Sequence, residues 1–177
     1  MYNLAKKIVI TGPESSGKTT LTKKLAEYYN TVFFTEYARE YIETLNREYL
    51  YKDLEHIARR QIKELSENKY EHSKKFIFFD TGLIITKVWF EYKYNNVPDF
   101  LSEALKNTKP DYCLLCFPDL PWTPDKTREN GGEKRIELFA KYKQELDSYG
   151  YEYDVIKGKG NSRFLSAVQY LSSAYSL

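Results

Sequence analysis

A glycine-rich string near the N-terminus constrains this chain more than any other feature: Gly12-Pro13-Glu14-Ser15-Ser16-Gly17-Lys18-Thr19. It matches the pattern G-x-x-x-x-G-K-[S/T], with an apolar run before it and a helical pattern after it. Such a loop wraps a phosphate with backbone N–H groups, and glycines permit the close approach. The motif therefore predicts a nucleoside triphosphate site inside an α/β domain.

The residue types in and after this string each have a chemical reason. The helix that begins at Lys18 contributes partial positive charge, Lys18 brings a cation to the β- and γ-phosphates, and the Thr19 hydroxyl suits Mg²⁺. The residues expected to hold ATP here are Gly12, Pro13, Glu14, Ser15, Ser16, Gly17, Lys18, Thr19 and Thr20. The alternative is a glycine turn that precedes a helix by chance, which average residue usage makes a roughly one-in-a-hundred event.

Short apolar runs alternate with helical patterns along the rest of the chain. Strands are expected at residues 7–11, 31–34, 75–80, 112–117 and 151–156. Helices are expected at 18–30, 36–46, 53–68, 83–94, 98–106, 133–148 and 162–170. Nearly continuous apolar strands between helices indicate a parallel sheet covered on both faces. We predict a single domain over residues 1–177, a three-layer α/β/α sandwich with a five-stranded parallel sheet. The helix at 133–148 is expected to turn Ile136, Phe139, Ala140 and Leu146 inward, and the first helix Leu21, Leu25 and Tyr28.

Composition narrows the function classes. The 27 basic and 25 acidic residues give a net charge of +2, which does not favour a nucleic-acid partner. There is no apolar window of about 18 residues for a membrane span, and the first residues carry no signal-peptide apolar region, so a cytoplasmic location is expected. Cys113 and Cys116 form a C-x-x-C spacing inside an apolar strand; buried small side chains are favoured over a zinc site.

The strand at 75–80 ends in the carboxylate of Asp80. In proteins with this type of phosphate loop, an Asp at such a position holds Mg²⁺ directly or through water. The alternative is an Asp that caps the next helix.

An acceptor pocket is expected beyond the carboxyl ends of the strands. Glu36 and Arg39 follow the second strand, where Glu36 suits an acceptor hydroxyl and Arg39 suits a phosphate; an ordinary charged first turn fits equally well.

Residues 118–132 form a long Pro/Gly-rich loop, which we interpret as part of a lid over about 118–135. The lid is expected to exclude water and to close Arg128 and Arg135 over the transferring phosphoryl group. Two solvated arginines are the alternative. A small phosphotransferase fits these features better than a GTPase, because no N-K-x-D string is present.

The strings G-P-E-S-S-G-K-T-T-L, E-Y-A-R-E, F-D-T and P-W-x-x-D-x-x-R together resemble the ribosylnicotinamide kinase domain of NadR-type proteins, from about residue 7 to 149. The resemblance implies ATP-dependent phosphorylation of the 5′-hydroxyl of nicotinamide riboside, giving nicotinamide mononucleotide. It also implies that Gln61 and Tyr37 lie near the riboside with Glu36 and Arg39, that Asp80 serves Mg²⁺ or the acceptor hydroxyl, and that Trp122, Asp125, Arg128 and Arg135 form the lid.

The flat cationic nicotinamide ring suits an aromatic face. Trp122 and Tyr37 are candidates; Trp89 is a third, although a core position is favoured for it. Lys159, in a Gly-rich loop after the fifth strand, is assigned to the adenine end of ATP. The chain departs from the resembled pattern at Lys126, where a glycine is common, and it contains no histidine-rich nucleotidyl-transfer motif. A kinase for another nucleoside or nucleotide, and a non-catalytic ATP-binding regulatory module, remain alternatives. The sequence leaves open whether Glu36 or Asp80 is the base, and it indicates no oligomeric state.

Overall fold

The computed structural model describes residues 4–67, 74–124 and 130–176. Its strands are β1 (Lys6–Thr11), β2 (Phe33–Phe34), β3 (Phe76–Asp80), β4 (Tyr112–Cys116) and β5 (Tyr153–Ile156). Its helices are α1 (Lys18–Tyr28), α2 (Tyr37–Glu43), α3 (Tyr51–Ser66), α4 (Leu83–Tyr94), α5 (Asp99–Asn107), α6 (Lys134–Ser148) and α7 (Asn161–Tyr175). The five strands pair in parallel in the order β2-β3-β1-β4-β5, so the predicted fold class is confirmed.

The sheet separates two apolar cores because successive strand side chains point to opposite faces. On one face Val9, Phe79 and Leu115 pack among the helices α3 to α6. On the other face Ile8, Phe78 and Leu114 pack against α1 and α7. All five residues of β3 are buried, as expected for a strand covered on both sides.

The strand order fixes where a ligand can bind. Because β1 lies between β3 and β4, the chain leaves β1 toward one half of the sheet and later returns to build the other half. A crevice opens at such a switch point, beyond the carboxyl ends of the strands. The glycine-rich loop after β1, Asp80 at the end of β3 and the segment after β4 all meet there.

Two helix faces differ from the prediction. In α6 Ile136 and Ala140 are exposed, while Arg135, Leu138 and Tyr142 are buried. The helix is rotated so that Tyr142 packs in the core and Arg135 points toward the glycine-rich loop, which apolar periodicity alone does not encode. In α1 Tyr28 is exposed, and the next residue, Tyr29, packs edge-on against Phe76.

The last helix runs to Tyr175, beyond the predicted end at residue 170. Leu171 is fully buried, and the Tyr175 ring packs against Phe76 and Tyr112, so these contacts continue the helix. Trp89 is half-buried and packs against the core: its ring meets Tyr49 edge-on, and its indole Nε1 donates to the Tyr49 hydroxyl at 2.9 Å.

Cys113 and Cys116 are free and buried in β4, and burial raises the pKa of Cys116 to about 11. Among the described residues no three His, Cys, Asp or Glu side chains group as metal ligands. No helix in the described ranges is both long and apolar enough to cross a bilayer.

Candidate active site

The loop between β1 and α1 lies directly against the end of β4. Gly12 has φ +141°, and a Cβ on it would stand 2.5 Å from the carbonyl oxygen of Cys116. Gly17 has φ +80°, and a Cβ there would stand 2.8 Å from Leu120. Both positions have a backbone conformation that L side chains rarely adopt. At Gly12 the close atom is a backbone oxygen, whereas at Gly17 it is the end of the flexible Leu120 side chain, so the backbone conformation is the main reason for a glycine at Gly17.

The side chains within the loop bind it from inside. The Ser16 hydroxyl donates to the Pro13 carbonyl at 2.7 Å, and Lys18 Nζ donates to the same carbonyl at 3.0 Å. Lys18 is buried, whereas Thr19 and Thr20 in the first turn of α1 are exposed. The predicted ATP residues of this string are therefore brought together on one loop and one helix turn.

Arg135 and Arg163 bind the outside of the loop through backbone carbonyls. Arg135 donates to the carbonyls of Glu14 at 3.0 Å, Ser15 at 3.2 Å and Leu120 at 2.9 Å. Arg163, at the start of α7, donates to Ser16 at 2.9 Å, Gly158 at 2.9 Å and Phe117 at 3.0 Å, and its guanidinium also pairs with Asp119. Both arginines are buried.

Among the carboxylates at this edge of the sheet, Asp80 has the most strongly shifted pKa. It is 3% exposed, and neither of its carboxylate oxygens has a hydrogen-bond partner in the described part of the chain. Burial raises the pKa of Asp80 to about 6; the Glu36 charge also raises it, while the Thr19 hydroxyl and the Lys18 and Lys23 charges lower it. Thr19 is near enough to act on this pKa, yet the two side chains form no hydrogen bond of good geometry.

The backbone after Asp80 is strained. Thr81 has φ +76°, which is a genuine outlier for a β-branched residue, and its N–H donates to the Ile10 carbonyl at 2.9 Å. Such conformations cost on the order of 1–3 kcal/mol and cluster at functional sites. The turn directs the chain away from β3 into α4 immediately after the carboxylate.

A cleft of about 270 Å³, including space open to solvent, adjoins Asp80. Its lining includes Tyr37 from α2, Gln61 and Glu64 from α3, and Asp80 itself. The Gln61 side-chain oxygen accepts a hydrogen bond from the Thr86 hydroxyl at 2.6 Å, which fixes the buried amide. The sequence assigned Tyr37, Gln61 and Asp80 to one substrate site, and the structure brings these three to one cleft.

Glu36 and Arg39 are placed differently from one another. Glu36 is half-buried at the N-cap of α2 and close enough to Asp80 to affect its pKa. Arg39 pairs with Glu43 along the same helix, Nε to Oε1 at 3.1 Å, on the exposed side. Glu36 therefore lies near the Asp80 carboxylate, whereas Arg39 pairs with a residue of its own helix.

An aromatic cluster stands at the mouth of the cleft. The Tyr37 hydroxyl and His56 Nε2 are hydrogen-bonded at 2.7 Å, and the Arg60 guanidinium lies 5.5 Å from the centre of the Tyr37 ring. Arg60 also pairs with Glu64 at 2.6 Å, while burial raises the pKa of Glu64 above its ordinary value.

The segment after β4 is joined to the loop by side chains from both. The Thr123 N–H donates to the Ser15 hydroxyl at 3.1 Å, and Asn130 donates to the Glu14 carboxylate from its backbone N–H at 3.0 Å and from Nδ2 at 3.1 Å. Trp122 is 37% exposed and packs over Gly131. Asp125 and Arg128, both assigned to the lid from the sequence, lie outside the described residues.

Lys159 is exposed in the loop after β5, where its carbonyl accepts a hydrogen bond from Ser162. Sequence reasoning missed Arg163, His56 and Asn130. No motif marks any of the three. The one available signal was for Arg163, an arginine in the first turn of an otherwise uncharged helix, where a cation opposes the helix dipole.

Comparison with known proteins places the fold among nucleotide-binding proteins. Residues 7–163 match the family described as AAA domain. The trifunctional NAD biosynthesis/regulator proteins NadR of Escherichia coli (strain K12) and Salmonella typhimurium are each 27% identical over 168 residues, 92% of this chain. The chain spans only 41% of the length of those relatives.

Solved structures agree on the architecture. A NadR protein in complex with NR superposes with a TM-score of 0.83 at 23% identity, covering 99% of this chain and 53% of the other. A deoxyadenosine kinase from M. mycoides superposes with a TM-score of 0.63 at 18% identity, covering 94% and 99%. At these identities the likeness shows a shared fold. Because the family match covers most of its length, the chain belongs to the AAA-domain family.

Proposed function

We propose that this protein is an ATP-dependent kinase that phosphorylates the 5′-hydroxyl of nicotinamide riboside to give nicotinamide mononucleotide. One observation carries the proposal: Asp80, a buried carboxylate with no hydrogen-bond partner among the described residues, lies between the phosphate loop and a cleft lined by Tyr37 and Gln61. The NadR structure determined in complex with NR, and a second determined with NAD and AMP-PNP, support both ligands.

The phosphate loop is proposed to hold the triphosphate of ATP. Lys18 would exchange its contact with the Pro13 carbonyl for the β- and γ-phosphates, where a point charge stabilises the transferring group. Thr19 and Asp80 are the residues proposed for Mg²⁺, which prefers hydroxyl and carboxylate oxygens and keeps several waters. The unpartnered Asp80 oxygens fit that ion, because a divalent cation would offset the cost of burying them. When bound, Mg²⁺ neutralises charge on the phosphates.

Transfer needs one proton to leave the acceptor. As the 5′-oxygen bonds to the γ-phosphorus, the bond from that phosphorus to the β–γ bridging oxygen breaks and ADP departs. Because Asp80 would hold the metal, the half-buried Glu36 is proposed to accept the hydroxyl proton. Gln61 and Tyr37 would orient the riboside, and the lid with Trp122, Asp125 and Arg128 would exclude water. Arg135, which the sequence assigned to the same lid, is instead buried against the carbonyls of Glu14 and Ser15. Lys159 is proposed for the adenine end, and Arg39 for the rim of the riboside site.

A panel assay tests the acceptor. Purified protein with ATP and Mg²⁺ is incubated with nicotinamide riboside, adenosine, cytidine, uridine and deoxyadenosine, and products are identified by mass. We expect nicotinamide mononucleotide with a kcat/KM at least about tenfold above any other acceptor, a difference of about 1.4 kcal/mol. A better rate with another nucleoside would reassign the substrate. Tight ATP binding without any phosphorylated product would favour the regulatory module.

A second measurement tests the base. Glu36→Gln should lower kcat by about 10² to 10⁴, the usual contribution of a positioned base, with little change in ATP affinity. Glu40→Gln, an exposed acid on the same helix, is the matched control and should keep the wild-type rate. Equal rates for the two variants would transfer the role to Asp80.

A further inference from the structure

The outward face of the phosphate loop is held by two arginines from different helices. The carbonyls of three consecutive residues, Glu14, Ser15 and Ser16, each accept from a guanidinium: the first two from Arg135 on α6, the third from Arg163 on α7. Each arginine also binds the segment that follows β4, at Leu120 or at Phe117. The loop is therefore tied at three adjacent peptide units to the rest of the molecule.

Planarity of the peptide bond transmits this restraint to the ligand side. In a trans peptide the carbonyl of one residue and the N–H of the next point in opposite directions. Holding the carbonyls of residues 14–16 outward thus turns the N–H groups of Ser15, Ser16 and Gly17 inward. Across the described ranges, these three N–H groups bind no acceptor of the chain itself. They form the concave set of donors that an anion requires.

The middle residue of the three is strained. Ser15 has φ +54°, a left-handed conformation that costs a non-glycine residue about 1–2 kcal/mol. Its carbonyl binds Arg135, and its hydroxyl accepts from Thr123 N–H. Strained conformations persist where surrounding contacts over-determine them. Alternating backbone conformations at Ser15 and its neighbours are what create a nest of N–H groups.

We propose that Arg135 and Arg163 are positioning residues that hold the phosphate loop in its anion-binding shape before the nucleotide arrives. The proposal moves Arg135 of α6 from the lid to the loop, and it gives a place in the site to Arg163 of α7, which no motif marks. The planar guanidinium presents its donors in fixed directions, whereas the three donors of a lysine ammonium rotate and hold no such geometry. This inference rests on nucleotide binding by the proposed kinase and is independent of which acceptor it uses.

Lysine substitutions test the idea with charge retained. Arg163→Lys and Arg135→Lys are prepared singly, and binding of ATP and of inorganic tripolyphosphate is measured by calorimetry. We expect each variant to bind both ligands about tenfold more weakly. Arg135→Lys cannot keep the paired hydrogen bonds to the Glu14 and Ser15 carbonyls, and Arg163→Lys disrupts the hydrogen bond to the Ser16 carbonyl. Amide NMR resonances of residues 15–17 should shift and broaden in the nucleotide-free variants. If Arg163→Lys fails to fold, Arg135→Lys, on another helix, carries the test.

Arg47→Lys is the matched control. Arg47 forms a bidentate pair with buried Asp53, at 2.7 and 2.9 Å, so the substitution disrupts a two-bond guanidinium contact at a distance from the loop in sequence. The affinity of this variant for both ligands should stay within twofold of wild type. The amide resonances of residues 15–17 should not shift. If Arg47→Lys weakened ligand binding equally, the effect would come from a general loss of stability, and the proposal would be overturned.

Two further outcomes would overturn it. Weaker ATP binding with unchanged tripolyphosphate binding would assign Arg163 to the adenine end instead. Weaker binding of both ligands with unchanged loop amides would make the arginines direct phosphate ligands. Failure of wild-type protein to phosphorylate nicotinamide riboside, with tripolyphosphate binding intact, would overturn the acceptor alone.

Discussion

At the residue scale, Asp80 combines a functional position with a cost to stability. Its pKa of about 6 in the folded chain exceeds its ordinary value of 3.8, mainly because the site is buried. The folded state therefore binds the proton more tightly than the unfolded state. This contribution to stability is fully present below about pH 3.8 and is lost as pH rises through about 6. At neutral pH the ionised carboxylate destabilises the nucleotide-free protein.

We therefore predict that Asp80→Asn is more stable than wild type at pH 7.5 while losing kinase activity. The shift corresponds to a gain of roughly 2–3 kcal/mol in unfolding free energy, reduced by the burial of the amide. Urea unfolding of nucleotide-free protein with chelator, at pH 4 and pH 7.5, measures it. The two proteins should converge at pH 4.

Asp53→Asn provides a control of opposite sign. The Arg47 guanidinium beside Asp53 holds the pKa of that carboxyl well below its usual range, so its ionised form stabilises the fold. That substitution should destabilise the protein at pH 7.5. An Asp80→Asn protein that is also destabilised at pH 7.5 would contradict the assignment of Asp80 as a site that lowers stability.

The sequence predicted some residues of the candidate active site and missed others. Lys18 and Asp80 are recognisable because a motif or a strand end gives each a fixed place along the chain. Arg163 and Asn130 act through backbone carbonyls and a loop carboxylate far away in sequence, 147 residues apart in the pair Arg163–Ser16. Such contacts depend on tertiary geometry, which a single sequence does not display.

At the element scale, the strand–loop–helix unit depends on close contact with β4. Gly12→Ala would place a methyl group 2.5 Å from the Cys116 carbonyl oxygen, a backbone atom that cannot move without distorting β4. We predict a loss of several kcal/mol in unfolding free energy, beyond the conformational penalty alone.

Gly132→Ala separates the two causes. Gly132 also has positive φ, at +57°, but no atom of the described residues lies within 4 Å of the added methyl group. Its cost should be only the conformational penalty of about 1 kcal/mol. Denaturant unfolding compares both variants with wild type. Similar losses for the two would show that contact with Cys116 is not the limiting factor at Gly12.

The buried faces of the helices show what apolar periodicity can and cannot predict. The strands and most helix bounds follow from apolar runs, because burial on both sides leaves a strong signal. In α6 the apolar pattern favoured Ile136 as an inward residue, yet Arg135 turns inward because its fork binds three carbonyls. A rule that counts apolar residues cannot predict a buried arginine whose partners are backbone carbonyls.

At the scale of the whole molecule, one sheet serves two cores. Alternate residues of β1, β3 and β4 belong to opposite core clusters, so neither core can unfold while the other keeps its strands. The sequence predicted this layered arrangement from strands and helices in alternation. It did not predict that Arg135 and Arg163 also join the phosphate loop after β1 to the segments that follow β4 and β5.

Cooperative unfolding coupled to nucleotide binding is the expected consequence. We predict a single thermal transition for residues 1–177, raised by ATP and Mg²⁺ at one hundred times their dissociation constant. That ligand excess contributes about 2.7 kcal/mol, or a shift of roughly 5–10 °C for a chain of this size. Lys18→Ala should lose the shift, whereas Lys24→Ala, an exposed lysine on the same helix, should retain it. Two separated transitions would show that the sheet does not couple the two cores, and a full shift in Lys18→Ala would remove the phosphate loop from nucleotide binding.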